Sequence, residues 1–368
     1  MNRALLALAG PDAFDWVELG ELPTPVERVA LARGELWIKR DDLSSPVYGG
    51  NKVRTLETLF GAAKAQGATR IYATGAFGSN HAAATVLHAP RVGLAPGVVL
   101  FPQPASSAAL ENLQVILRSR PALVSLPHWS FLPLGMAWAR RQAAREGVRA
   151  ALMVPGGATE VGALGYVSAA LELAAQVDAG LLPPPAAIVV GVGSTCTSAG
   201  LLYGVHLAAA RGLGGPRPPR IVSARVTPWP VTSAYRIVDL AVRTGRAIAA
   251  RTGDASFAAL ERGALAAGLE VDGRYLGGGY GEATPEGRAA IRTFAEHAGF
   301  ALDTTYSAKA AACALDRVGR GPILFWSTKS TAPLPVVRPE DWAWAPARMK
   351  RWIARAEREA RAERERRG

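Results

Sequence analysis

Ala187-Ile-Val-Val-Gly-Val-Gly-Ser-Thr-Cys-Thr-Ser-Ala-Gly200 decides the reading of this 368-residue chain. It opens on an apolar run, Ala187–Val190, rich in β-branched residues and bounded by glycine, which predicts a buried strand. Small and hydroxyl residues follow, and a helical pattern begins near residue 198. Such a loop can aim several backbone N–H groups and hydroxyls at one anion, and the helix N-terminus adds favourable potential. The glycine spacing fits neither a P-loop nor a dinucleotide fingerprint, and no Gly-Lys-Ser/Thr follows. The segment therefore points to a phosphate of another kind.

The same grammar runs outward in both directions. Candidate strands are Leu36–Lys39, Arg70–Thr74, Val98–Phe101, Ala151–Val154, Ala187–Val190, Ile221–Val226 and Ile323–Trp326. Helical patterns lie near 53–66, 80–89, 134–146, 161–176, 198–211 and 285–298. Alternating strand and helix predicts an α/β fold with open parallel sheets covered on both faces. Ligands of such sheets gather at the carboxyl ends of the strands. The stretches Leu181–Pro185 and Arg211–Pro219 read as surface loops, and no repeat is evident. The length suggests about two domains.

Composition narrows the classes further. Hydrophobic residues make up 49% and charged residues 20%, enough for a sizeable core. The formal net charge is +12, but residues 348–368 alone hold nine basic against four acidic residues. No basic run is interleaved with aromatics, so a nucleic-acid partner is not indicated. The C-terminal segment instead predicts a docked helix with Met349, Trp352, Ile353, Ala356 and Ala360 on one face. Glu357–Arg361 and Glu363–Arg367 have the spacing of favourable pairs along it. Cys196 and Cys313 are the only cysteines, which excludes a disulfide scaffold and a cysteine-built zinc site. The five histidines show no metal-ligand spacing, so no metal is expected. No apolar stretch approaches the ~20 residues of a membrane span, and no leader-like segment is seen. The expectation is a soluble cytoplasmic protein without a membrane partner.

Lysine is scarce: Lys39, Lys52, Lys64, Lys309, Lys329 and Lys350 stand among 42 basic residues. Arginine cannot deprotonate to act as an amine nucleophile, so a retained lysine is informative. Lys52 lies in Val47-Tyr-Gly-Gly-Asn-Lys-Val-Arg54, at the start of a helical pattern. The glycine pair would let the backbone approach a ligand. A lysine buried there would have a lowered pKa, which suits imine formation. Gly78-Ser79-Asn80-His81 follows a candidate strand; Ser79 could carry a proton, but Ser-Asn before a helix is also an N-cap. Tyr280 sits in Gly277-Gly-Gly-Tyr-Gly281, and Tyr306-Ser307 precedes a helix. Each tyrosine, taken singly, is more simply structural. No Gly-x-Ser-x-Gly elbow is present, which argues against a serine hydrolase.

Together these segments resemble the pyridoxal-phosphate enzymes of the tryptophan synthase β type. More narrowly, they resemble the 1-aminocyclopropane-1-carboxylate deaminase / D-cysteine desulfhydrase family. The matching stretches are Leu22–Pro25, Trp37–Leu43, Gly49–Arg54, Gly78–His81, Gly156–Ala158 with Gly162–Tyr166, Gly193–Gly200, Gly279–Gly281 and Tyr306–Ser307. The resemblance implies two open parallel-sheet domains with the cofactor in the interdomain cleft. Residues 1–56 and 173–345 would form the large domain, 57–172 the small one, and 346–368 a basic helix docked outside. A homodimer is implied on family tendency.

The resemblance also implies roles. Lys52 would carry pyridoxal 5'-phosphate covalently and later move protons at Cα. Asn80 would hydrogen-bond the ring hydroxyl. Gly193, Ser194, Thr195, Cys196 and Thr197 would hold the phosphate. Ser79, with Asn80 and His81, would meet the substrate carboxylate. Tyr280 and Tyr306 would flank the reacting carbon, and Ser307 would face the pyridine nitrogen. A hydroxyl there resembles the desulfhydrase pattern, where deaminases carry a carboxylate. His81 also follows the desulfhydrases, since deaminases carry glutamine after Ser-Asn. The implied activity is β-elimination from D-cysteine or a related β-substituted D-amino acid, to a 2-oxo acid and ammonia. The alternatives are 1-aminocyclopropane-1-carboxylate deamination, or cofactor binding without turnover. Two departures stand out: Thr55 where a lysine is common, and Thr328-Lys-Ser330 where Thr-Gly-Gly is expected.

Overall fold

The computed structural model describes residues 3–229, 231–279, 281–304 and 306–365. Its strands, in chain order, are β1 (Val26–Leu31), β2 (Gly34–Lys39), β3 (Arg70–Ala76), β4 (Ala95–Phe101), β5 (Ala122–Ser125), β6 (Ala150–Leu152), β7 (Ala187–Val192), β8 (Arg220–Arg225), β9 (Leu269–Asp272) and β10 (Ile323–Trp326). They form two sheets, one in each of two compact units. The first unit comprises 1–61 and 158–332, and the second 62–157 and 333–368. These bounds differ from the sequence expectation of 57–172. The Glu160–Asp178 helix runs unbroken through residue 172 and shares its core with the Cys196–Ala210 helix, so the whole of it belongs to the first unit.

In the first unit the order is β1-β2-β10-β7-β8-β9. All neighbours are parallel except the β1–β2 hairpin. Central strands of a two-faced sheet read as continuous apolar runs because both sides are covered. β7 is buried at every position. Its Ile188, Val190 and Val192 enter the core that includes the Glu160–Asp178, Cys196–Ala210 and Ala234–Thr252 helices. Its Ala187 and Val189 enter the opposite core, with the Pro285–His297 and Ser307–Leu315 helices. β10 divides likewise: Leu324 and Trp326 on one face, Ile323 and Phe325 on the other. The second unit holds a parallel sheet in the order β5-β4-β3-β6. Tyr72, Val99 and Leu126 pack there against Ala139 and Ala143 of the Leu132–Arg145 helix.

A polar knot lies inside the first unit. The Asp41 carboxylate is fully buried and accepts from Arg54 at 2.8–3.1 Å, Thr24 Oγ1 at 2.9 Å, Tyr166 Oη at 2.7 Å and Trp326 Nε1 at 2.7 Å. Arg54 also donates to Glu172 at 2.9 Å, and Lys39 donates to Glu172 and Gln176, both at 2.6 Å. Buried charges persist only when paired in this way, and removing one partner of such a pair typically costs about 3–5 kcal/mol.

The knot makes stability depend on pH. Burial opposes the ionised form of Glu172, but Arg54 and Lys39 outweigh it and hold its carboxyl down at about 2. Its contribution, on the order of 3 kcal/mol, is therefore complete above the ordinary value of 4.5 and is lost as pH falls towards 2. Urea unfolding midpoints measured across that window should fall, and Glu172→Gln should lower stability at neutral pH while flattening the slope. An unchanged slope in the variant would mean that Glu172 is already protonated in the fold.

Candidate cofactor and substrate site

Lys52 is the second residue of the Asn51–Ala65 helix and is 9% exposed. Its seat is built from distant segments. The exit of β10 is stitched to the helix start: Asn51 N–H donates to Thr328 O at 2.9 Å, and Gly50 pairs with Lys329 in an isolated bridge. The glycine pair serves this stitching rather than a ligand. A Cβ on Gly49 would stand 2.2 Å from Asp42 O, and one on Gly50 2.4 Å from Thr328 O, with Gly50 at φ 87°. Only glycine fits both places.

The strand β7 then runs into Gly193-Ser-Thr195, and the Cys196–Ala210 helix starts. No side chain caps that helix, and no acid lies in its first turn. Its leading N–H groups and positive end are thus arranged for an anion. Thr227 and Thr232 both donate to Gly193 O, at 3.2 and 2.8 Å, so that carbonyl is already engaged. Thr195 has φ 72°, a left-handed backbone that costs a β-branched residue about 1–3 kcal/mol. Asn51 Nδ2 donates to Thr197 Oγ1 at 2.9 Å, tying the lysine helix to this loop.

Electrostatics fit an amine that must become neutral. Burial pushes the Lys52 ammonium below its ordinary value, and Cys196 beside it acts the other way. Burial also pushes the Cys196 thiol up to about 11, so it stays neutral and contributes no nucleophile. The Thr55 hydroxyl bonds to Cys196, which places that departure directly under the loop. Ser330 Oγ accepts from Gly49 N at 2.8 Å, and Lys329 Nζ reaches the Tyr48 hydroxyl at 3.2 Å. Both replacements of expected glycines are thereby absorbed by the Val47–Gly50 turn.

Tyr306 lies beside the same loop: a Cβ on Gly193 would come within 3.2 Å of its ring. Ser307 opens the Ser307–Leu315 helix and is 2% exposed. Its Oγ accepts from Asp303 N at 2.8 Å and donates to the Asp303 carboxylate. With its proton so directed, Ser307 offers a lone pair outward rather than a donor. Asp303 gave no signal in the sequence reading beyond being an acid four residues before a helical serine. Tyr280 lies outside the described residues. The preceding loop is held by Lys309, whose Nζ donates to Leu276 O at 2.7 Å and Gly279 O at 3.1 Å.

Ser79, Asn80 and His81 belong to the second unit. Ser79 caps the Asn80–His88 helix, its hydroxyl accepting from Ala82 N at 3.2 Å; the capping role read from the sequence is real, and the hydroxyl proton is left to donate elsewhere. His81 is 2% exposed within the first turn. Asn112 was missed by sequence reasoning. Its Nδ2 donates to Gly78 O at 2.9 Å and to Asn80 Oδ1 at 2.7 Å. Because Gly78 O can only accept, Asn112 presents its NH₂ here, and Asn80 must turn its oxygen towards it. The end that Asn80 points elsewhere is its donor.

The profile of the family described as "Pyridoxal-phosphate dependent enzyme" matches residues 17–328. The chain belongs to this family. Among curated proteins it is similar to the nocardicin C-9' epimerase of Nocardia uniformis subsp. tsuyamanensis, 33% identical over 325 residues, 87% of this chain and 94% of that protein. It is likewise similar to the D-cysteine desulfhydrase of Klebsiella pneumoniae (strain 342), 30% identical over 354 residues, 91% and 99% of the two chains. A crystal structure of an ACC deaminase homologue superposes with TM-score 0.70 at 28% identity, covering 90% of this chain and 96% of that one. The protein is a pyridoxal-phosphate enzyme of the tryptophan synthase β-like fold. The residues present fit the cofactor: a buried amine of lowered basicity for its aldehyde, and an uncapped helix N-terminus for its phosphate.

The strained Thr195 supplies a test. Thr195→Gly relieves the left-handed backbone and should raise the stability of cofactor-free protein by about 1 kcal/mol. It also removes a hydroxyl from the loop, so cofactor retention during dialysis should fall. Unfolding curves and residual cofactor absorbance read the two effects separately; loss of stability would mean that the Thr195 side chain is needed by the fold itself.

Proposed function

We propose that this enzyme is a lyase acting on D-cysteine or a related β-substituted D-amino acid. The products are a 2-oxo acid and ammonia, with sulfide from D-cysteine. The observation that carries the reading is the buried, weakly basic Lys52, linked through Asn51 to the Gly193–Thr197 loop. The 30% identity over 99% of a D-cysteine desulfhydrase supports the choice of reaction.

When bound, pyridoxal phosphate would supply an electron sink for the Cα of the amino acid. The protein's own residues then have four tasks. Lys52 would hold the cofactor and would move the proton at Cα. The Gly193–Thr197 N–H groups hold the phosphate, with Ser194, Thr195 and Thr197 adding hydroxyls. Ser79, at the positive end of its helix, donates to the substrate carboxylate with His81 behind it, and Asn80 donates to the cofactor's ring hydroxyl. Tyr306 and Tyr280 bracket the reacting carbon, and Ser307 meets the pyridine nitrogen. Cleavage of the Cβ–S bond would release sulfide, which leaves with a proton; a proton gained at Cβ and water added at Cα would then give pyruvate and ammonia. Ser307 no longer argues for the desulfhydrase branch, since Asp303 takes its proton. The choice rests on His81 and on overall similarity.

A second reading has its own observation: the relative at 33% identity is an epimerase. It shares removal of the Cα proton and differs in returning one to the opposite face. Among the described residues no helix is long and apolar enough to cross a membrane. A cytoplasmic homodimer is part of the proposal, with the two buried thiols suiting a reducing compartment.

The test is the visible spectrum of holoenzyme during addition of D-cysteine, with pyruvate and sulfide assayed together. The cofactor band should shift and both products should appear. Lys52→Ala should lower turnover about 10²–10⁴-fold. 2-Oxobutanoate from 1-aminocyclopropane-1-carboxylate would instead assign the deaminase reaction. Solvent deuterium at Cα with inversion and no keto acid would assign epimerisation. A shifted band with neither product would leave a cofactor-binding protein.

A further inference from the structure

The C-terminal Ala347–Glu365 helix lies beyond the residues matched to the family, 17–328, and has been given no task. It packs in the second unit with Met349, Ile353 and Ala356 buried. Between those residues Trp352 reaches two parts of one loop system. Its ring meets the Phe77 ring edge-on at 5.7 Å, and its Nε1–H donates to Gln103 O at 2.7 Å. The Gln103 side chain in turn accepts from Gly78 N at 3.3 Å. Phe77 is fully buried and directly precedes Gly78-Ser79-Asn80.

The opposite side of the loop is fixed by the Ser107–Arg118 helix. A Cβ on Gly78 would stand 2.4 Å from Ala109 Cα, so the loop backbone lies directly on that helix. Asn112 of the same helix holds Gly78 O and Asn80 Oδ1. The C-terminal region grips this helix too: Trp344 Nε1 donates to Leu117 O at 3.2 Å, Gln114 Nε2 to Glu357 at 3.3 Å, and Arg118 pairs with Asp341 at 3.6 Å. Two routes therefore lead from residues 341–357 to the backbone that carries Ser79 and Asn80.

We infer that Trp352 is a positioning residue, by which the C-terminal helix holds the Phe77–Asn80 loop in the conformation that presents Ser79 and Asn80. Its importance for catalysis rests on the roles proposed above for those two residues; its mechanical part does not. Trp352 touches neither substrate nor cofactor in this scheme. It acts through Phe77 and Gln103, and a phenylalanine in its place keeps the ring contact while losing the Nε1–H donor.

The test uses full-length holoenzyme as wild type, Trp352→Phe and Trp352→Ala. Amide hydrogen exchange of peptides covering 77–84 should quicken about five- to thirtyfold in Trp352→Ala, and by less in Trp352→Phe. Peptides covering 187–226 should be unchanged. KM for D-cysteine should rise several-fold while the absorbance of cofactor bound at Lys52 persists. Unchanged exchange over 77–84 in both variants overturns the inference. If Trp352→Ala fails to fold, Trp352→Phe alone decides by the same peptides. Faster exchange with unaltered KM and kcat supports the mechanical link and overturns instead the placing of Ser79 and Asn80 in the reaction.

Discussion

The first unit is organised around one buried carboxylate. Asp41 accepts hydrogen bonds from the segment before β1, the Asn51–Ala65 helix, the Glu160–Asp178 helix and β10. Such a centre adds little net stability over a well-packed apolar one, but it admits a single arrangement of the groups around it. That matters for Lys52. Arg54 follows it by two residues, about 200° around the helix. With Arg54 turned inward to Asp41 and Glu172, Lys52 must point to another side, where Cys196 and the Gly193–Thr197 loop lie. The polar knot thus sets the direction of the amine without touching it.

The two halves of the chemistry are supported in different ways. Lys52 and the Gly193–Thr197 loop, proposed to hold the cofactor, rest on sheet ends and a charged core. Ser79 and Asn80 rest on a short loop that takes its shape from neighbours: Asn112 on one side, Gln103 and Trp352 on the other. Binding residues are commonly carried by such loops on a firm scaffold, as is proposed for Ser79 and Asn80.

The seven strands legible in the sequence include every strand with neighbours on both sides. β2, β3, β4, β7, β8 and β10 bury both faces and so appear as apolar runs, and β6 was also read. β1, β5 and β9, which were not read, are all at sheet edges. β1, Val-Glu-Arg-Val-Ala-Leu, has one buried position among exposed and half-buried ones, and β5 and β9 are only four residues long. The helices Ser107–Arg118 and Ala234–Thr252 were missed too, the latter carrying several arginines on its exposed side. Lys52 and the Gly193–Thr197 loop are legible as candidates because their own residue types suit the proposed chemistry. Asn112, Asp303 and Trp352 did not, because each acts through a contact that only the folded chain creates. The Gly49-Gly50 pair was read as room for a ligand, and the room is filled by the chain's own carbonyls.

That filling has a consequence for the order of synthesis. Gly49 N–H meets Ser330 Oγ across 281 residues, and Trp326 meets Asp41 across 285. The lysine emerges early from the ribosome, but its seat closes only when almost the whole chain is available. Such long-range closures are slow to form. Until then Lys52 sits on an unfinished helix start, where its amine is hydrated and protonated like that of any surface lysine. The last strand of the sheet therefore acts as a checkpoint: a truncated or stalled chain contains Lys52 but not the burial that lowers its basicity.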